Sequence, residues 1–228
     1  MRYEFMTFTP STPHVSARTQ IHGKQRLALF DFDGTITSRD TLEAFIRFYR
    51  GSSGYVAGLI ALFPVLSAYK LGILPNWKAK EKLMTWFFRG ENVTTFDARC
   101  EQFAREIVPR LVRPEALREI RQHQDNNTVV CVVSASAENW VKPWCREQGI
   151  QCLATRLEEK SGILTGKFEG QNCHGDEKVH RIKTAFEIDH FSEIIAYGDS
   201  SGDRQMLELA HIKHYKPFRS SARPIQTA

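Results

Sequence analysis

The chain has no C-x-x-C pair and no Cys/His cluster at zinc-ligand spacing, and its five cysteines, Cys100, Cys131, Cys145, Cys152 and Cys173, are an odd number. That argues against a disulfide framework and a structural zinc site. The thiols read as reduced and the chain as cytoplasmic, with Cys131 a core residue inside an apolar run. The two N-x-T sequons at Asn92 and Asn126 then carry no meaning. No run of basic residues marks a nucleic-acid arm, although the formal net charge is +5; nucleic acid is not an expected partner. A mild attraction to anions is what the charge supports, and phosphorylated substrates and anionic membrane surfaces both fit it. No uncharged apolar run reaches the roughly 20 residues needed to span a bilayer. Internal repeats and low-complexity tracts are missing as well. Residues 1–25 have no sustained apolar region, so they read as a loose leader and not as a secretory signal.

What is present suits a soluble enzyme: 228 residues, 42% hydrophobic and 25% charged, enough for one ordinary domain with a smaller insert. Three short apolar runs read as buried strands: Leu27–Phe32 (LALFDF), Val129–Val133 (VVCVV) and Ile194–Tyr197 (IIAY). Helical patterns separate them, at Glu115–Gln122, Ala137–Gln148, Glu177–Phe186 and Asp203–Ala210. Asp176 is placed to cap the third of these, and Pro143 to kink or delay the second. Residues Thr155–Gly170 read as a hairpin around a glycine turn. The alternation predicts an α/β fold with a doubly wound, Rossmann-like parallel sheet. Residues 41–109, helix-like and aromatic-rich, break the rhythm and read as a small, mostly helical inserted domain between core segments 26–40 and 110–228.

Each strand stops where reactive residues begin, which is where such sheets bind ligands. Asp31-Phe32-Asp33-Gly34-Thr35 follows the first strand. Two carboxylates this close repel one another in an apolar setting unless a cation or donors compensate, and magnesium prefers such hard oxygen ligands. Ser134, with the small Ala135 and Ser136 after it, ends the second strand as an anion seat or a helix cap. Lys178 stands near the start of the third helix and is suited to neutralising phosphate oxygens. Asp199 and Asp203 follow the strand IIAY, the first as a metal ligand, the second as a group that holds the ligands in place.

These four segments in this order resemble the haloacid dehalogenase (HAD) superfamily of phosphohydrolases, from Leu27 nearly to the C-terminus. The resemblance implies Asp31 as covalent nucleophile, Asp33 as general acid and base, Ser134 and Ala135 as phosphate anchor, and Lys178 as charge stabiliser. It also implies Mg2+ held by Asp31, Asp199 and the backbone carbonyl of Asp33, with Asp203 behind them. An acid at the second aspartate position is the phosphatase pattern, not the dehalogenase one. A phosphotransferase shares every one of these residues, and a non-catalytic binding module would be expected to have lost some of them.

An insert between the first and second motifs is the arrangement of the phosphoserine-phosphatase-like branch, in which a helical cap closes over the site. Asp40 resembles the acidic residue that contacts the serine amine there. Two departures weigh against free phosphoserine: D-G-T replaces that enzyme's D-S-T, and Trp77–Phe88 (WKAKEKLMTWFF) offers lysines where a cap arginine is expected. The uncharged Tyr55–Tyr69 (YVAGLIALFPVLSAY), interrupted by Pro64, reads either as packed cap core or as an interfacial helix on the cytoplasmic face of a membrane. With the basic segment containing Trp77 after it, the pattern also resembles a bacterial phosphatidylglycerophosphatase subgroup. That likeness implies a lipid-like phosphomonoester as substrate, with a soluble phosphorylated metabolite as the alternative. Oligomeric state is not readable from the sequence.

Overall fold

The computed structural model describes residues 24–219, so the leader expectation falls almost wholly outside them. The first strand, β1 (Arg26–Phe30), sends Leu27 and Leu29 to one face and Ala28 and Phe30 to the other, all fully buried. Buried on both faces, it occupies the centre of a six-stranded sheet. β2 (Val129–Ala137) and β5 (Glu193–Gly198) flank it in parallel; β3 (Gln151–Lys160) and β6 (Ile212–Tyr215) extend the parallel sheet at either side. β4 (Ile163–Glu169) closes one edge antiparallel to β3, giving the order β4-β3-β2-β1-β5-β6. The fold is α/β and Rossmann-like, with the hairpin expected from Thr155–Gly170 built into its edge.

Five helices stand between β1 and the next core helix: α1 (Thr41–Ala61), α2 (Phe63–Lys70), α3 (Asn76–Phe88), α4 (Val93–Glu106) and the single turn α5 (Val108–Leu111). The chain enters and leaves this insert side by side, with Thr37 and Val112 paired in an antiparallel bridge. Four more helices complete the core: α6 (Pro114–Asp125), α7 (Glu138–Glu147), α8 (Asp176–Ala185) and α9 (Arg204–Leu209).

The insert shares one continuous apolar cluster with the sheet. Phe45 of α1 is its centre, stacked on Trp140 of α7 at 4.7 Å between ring centroids and edge-on to Phe96 and Phe103 of α4. Truncating such a fully buried ring costs about 3–5 kcal/mol. The hairpin grips the insert from the other side. Gly166, at φ +79°, lies so close to α3 that a Cβ there would be 2.4 Å from the Thr85 Cα, and Thr85 Oγ1 donates to the Gly166 carbonyl at 3.0 Å.

Several local expectations need correction. The first strand ends at Phe30, and residues 32–36 wind into a turn whose non-helical residues are Asp33 and Gly34. β2 runs on to Ala137, so Ser134 lies inside the strand and not at a helix start. Pro143 neither delays nor divides α7. Its missing N–H removes one hydrogen bond, while Trp140, Val141, Trp144 and Cys145 all bury along the helix. Asp176 is the first residue of α8 and Gly175, at φ +62°, is the cap, so no side chain caps that helix. The Tyr55–Tyr69 stretch is bent by 64° between α1 and α2, and no single helix among the described residues is long and apolar enough to cross a membrane.

Candidate active site

The backbone N–H of Asp31 donates to the Tyr197 carbonyl at 2.9 Å, so the first carboxylate is anchored between β1 and β5. Lys178 enters from α8, almost fully buried, and each of its three ammonium protons has an acceptor. It donates to Asp31 Oδ1 at 2.7 Å, to Asp203 Oδ1 at 2.6 Å and to the Val133 carbonyl at 2.7 Å. Thr35 Oγ1 donates to the other oxygen of Asp31 at 3.2 Å.

Asp203 is spoken for on both sides. Its Oδ2 accepts from the backbone N–H groups of Asp199 and Ser200 and from Ser200 Oγ, at 3.1, 2.9 and 2.8 Å. That ties the loop after β5 to Lys178 and leaves the Asp199 carboxylate to face Asp31. One ligand atom from each of Asp31, Asp199 and Asp203 lies within 4.8 Å of the others. Arg219, from the segment after β6, donates to Asp199 Oδ2 at 2.8 Å.

Burial and the charges of Asp203 and Asp33 push the Asp31 carboxyl up to about 7, against the attraction of Lys178. Burial acts on Asp203 too, but Lys178 and the Ser200 donors outweigh it and hold that carboxyl below its usual range. Lys178 itself, which burial alone would lower, is held above its ordinary value by the two aspartates. The site is short of positive charge at Asp31 and well supplied at Asp203.

Asp33 points the other way, toward α1 and β2. Its Oδ1 accepts from the Thr41 N–H at 2.7 Å and from Thr41 Oγ1 at 2.6 Å, and its Oδ2 accepts from Ser136 Oγ at 2.5 Å. Burial and the nearby Asp40 raise its pKa, against Lys80, Ser136 and Thr41. Ser134 is completely buried, and its Oγ accepts from the Ser136 N–H at 3.0 Å. A cavity of about 790 Å3 opens elsewhere, beside α4, α7 and β3, among paired charges such as Glu138 with Lys142 and Arg156. It contains none of these carboxylates.

Four separate stretches of sequence thus meet around Asp31. A family model described as haloacid dehalogenase-like hydrolase matches residues 28–208. The chain belongs to that family. It is 34% identical over 195 residues to Protein CicA of Caulobacter vibrioides, covering 85% of this hydrolase and 86% of that protein. Against the phosphoserine phosphatase of Methanocaldococcus jannaschii it is 24% identical, covering 83% and 84% of the two chains. Among solved structures, a protein of unknown function from Bordetella pertussis superposes with a TM-score of 0.71 at 25% identity, covering 82% of this chain and 88% of that one. The likeness to a phosphoserine phosphatase thus extends over most of this hydrolase.

Of the residues expected at the substrate end, Asp40 caps α1, accepting from the Leu42 N–H at 2.7 Å, and is itself exposed. Trp77 opens α3, half exposed, with the Lys78 ammonium 5.3 Å from its ring centroid. No hydrogen bond among the described residues joins Trp77 to the carboxylates. Sequence reasoning missed Thr41 and Ser136, which hold Asp33, and Lys80, whose Nζ reaches from α3 to the Ala135 carbonyl at 3.1 Å. Ser136 lies two residues after Ser134 and Lys80 between Lys78 and Lys82, but nothing local distinguishes either from its neighbours.

The donor set fits a small hard dication: carboxylate oxygens from Asp31 and Asp199 converge with one carboxyl already in need of positive charge. The loop is shaped around that approach. Gly34 sits at φ +82°, where a Cβ would be 2.5 Å from Asp199 Oδ2. Gly34→Ala therefore displaces the Asp199 carboxylate. The expected result is a fall in kcat/KM of about 100-fold, the scale of a 1 Å misplacement, and, where turnover depends on magnesium, a higher half-saturating magnesium concentration. A magnesium titration of turnover checks this, and an unchanged half-saturation would show that Asp199 has not moved.

Proposed function

We propose that this hydrolase is a magnesium-dependent phosphatase that cleaves a phosphomonoester through an aspartyl-phosphate on Asp31. The observation that carries the reading is the buried Lys178 bridging Asp31 and Asp203 beside Asp199. In that arrangement Asp203 is held by Lys178, the Asp199 and Ser200 N–H groups and Ser200 Oγ, and the Asp31 carboxylate, among the described residues, only by Lys178 and Thr35. Asp31 attacks phosphorus, and Asp33, whose pKa is raised by burial and by Asp40 and which Thr41 and Ser136 orient, protonates the leaving oxygen. Asp33 then takes a proton from the water that hydrolyses the aspartyl-phosphate, which regenerates Asp31.

Lys178 balances the charge gathering on the phosphoryl oxygens. Ser134 is the phosphate anchor: its Oγ accepts from Ser136, which leaves its own proton for a phosphate oxygen, and the Ala135 N–H is the second donor. Asp31, Asp199 and the Asp33 backbone carbonyl would hold a magnesium ion, which would supply further neutralisation of the transferring group. Asp203 fixes the loop behind Asp199.

For the substrate, the apolar insert supports a phosphate carried on a hydrophobic or lipid-like group, of the phosphatidylglycerophosphate type. A soluble phosphoserine-like metabolite is the second reading, favoured by the phosphoserine phosphatase relative and by Asp40 standing near Asp33. Turnover of both classes with magnesium, with and without an added alcohol, separates these readings from each other and from a phosphotransferase. Asp33→Asn is expected to lower kcat by about 10²–10⁴ on whichever substrate is turned over. Wild-type kcat in that variant would remove Asp33 from the chemistry.

A further inference from the structure

The exposed apolar side chains of the described residues are not scattered. Of the eleven large hydrophobics that stand exposed, eight fall between Val56 and Trp86. The most open are Ile60 at 71%, Phe63 at 69%, and Leu71 and Ile73 at 74% each. α2 has no buried residue although its sequence, FPVLSAYK, is mostly apolar. The opposite side of this layer is tightly packed: a Cβ on Gly58 of α1 would be 2.1 Å from the Phe87 ring of α3. The outward face is thus open because nothing in the described chain covers it, and not because the helices are loosely held.

Charge is concentrated on the same layer. Residues 51–90 contain five Lys or Arg and a single acid, Glu81, a net +4 within a chain whose total is +5. Glu81 accepts from the Phe168 N–H and Lys80 donates to the Ala135 carbonyl, so both are engaged by the rest of the chain. Lys70, Lys78, Lys82 and Arg89 are left exposed around the apolar side chains, with no exposed acid among them.

We propose that this α1–α2–α3 face docks on an anionic lipid bilayer, lying in the plane of its surface. The bend of 64° between α1 and α2 suits an interfacial position and not a crossing. Exposed Trp77 and Trp86 and the lysines match the headgroup level, where amphipathic rings and cations are favoured. A second copy of the chain is the poorer occupant: protein interface cores are depleted in lysine, and pairing two such faces brings like charges together. The docking needs none of the catalytic residues, and it stands whether or not the phosphate-bearing substrate is itself a lipid.

Flotation of the full chain with vesicles of phosphatidylcholine, alone or mixed with phosphatidylglycerol, tests it. The protein is expected to float with the mixed vesicles, to remain behind with phosphatidylcholine alone, and to be released by salt as the surface charge is screened. Phe63→Ser/Ile73→Ser, both at exposed positions, is expected to lower the bound fraction at least about tenfold, and Lys70→Gln/Lys82→Gln to lower it several-fold. Hydrolysis of soluble p-nitrophenyl phosphate by both variants is expected to stay at the wild-type level, which separates docking from catalysis. Absence of flotation with mixed vesicles overturns the proposal, as does flotation indifferent to either pair of substitutions. A stable dimer in light scattering that the Phe63/Ile73 pair abolishes also overturns it, in favour of self-association. A wild-type protein that floats but hydrolyses no phosphomonoester upholds the docking and removes the catalytic reading instead.

Discussion

Asp31→Asn is expected to abolish phosphomonoester turnover, by on the order of 10⁴-fold or more, the scale seen when a covalent nucleophile is removed. An amide cannot form the acyl phosphate, and the remaining groups have no nucleophile to position. The fold is expected to survive. Asn has the shape of Asp, and Lys178 keeps Asp203 and the Val133 carbonyl as acceptors. Because burial pushes the Asp31 carboxyl up to about 7, its ionised form is a burden on the folded state. A group raised in this way contributes stability below its unfolded pKa and loses it as pH rises through the folded value. In metal-free buffer above pH 7, the urea midpoint of Asp31→Asn is therefore expected to be no lower than that of the wild type. Retained turnover would move the nucleophile elsewhere; a collapsed midpoint would show that Asp31 is structural.

The second large effect is on stability. Lys178→Met removes the one cation that, among the described residues, touches both Asp31 and Asp203, each of them buried. Breaking a buried pair from one side strands the other charge, and the cost is about 3–5 kcal/mol. The variant is expected to unfold at markedly lower urea and to lose turnover even where it remains folded. Adding Asp203→Asn to Lys178→Met removes one of the stranded carboxylates and is expected to recover part of the midpoint without recovering activity. A single variant as stable as the wild type would mean that water, and not Lys178, satisfies those carboxylates.

How much of this was legible along the chain depended on the range of the interaction. Strand ends could be read because LALF, VVCVV and IIAY are short apolar runs that stop at Asp, Ser and Gly, a contrast visible within a few residues. β6 was missed: IKHY has no alternation, and its strand conformation comes from pairing with β5 at the sheet edge. Pro143 misled for the opposite reason, since the local preference to break a helix lost to the burial of Trp140 and Trp144 on either side of it.

The site divides in the same way. Asp31, Asp33, Lys178 and Asp199 stood out because each sits at or just after the carboxyl end of a strand, or near the start of the following helix. Thr41, Ser136 and Lys80 did not, because a hydroxyl or an ammonium acquires its role only from the group across from it. Asp33 and Ser136 are 103 residues apart, and Lys80 meets Ala135 across 55.

By itself the sequence determined the sheet's centre and the family of hydrolases, since hydrophobic runs and strand-end acids are local properties of the chain. Only the tertiary structure decided how each carboxylate is held: Lys178 gives one proton to Asp31 and one to Asp203, and the Asp199 and Ser200 donors converge on Asp203 alone. Along the chain Asp31 is one of two acids in need of compensation; in the fold, burial and neighbouring acids push its carboxyl up to about 7 despite Lys178, while Lys178 and the Ser200 donors hold Asp203 below its usual range.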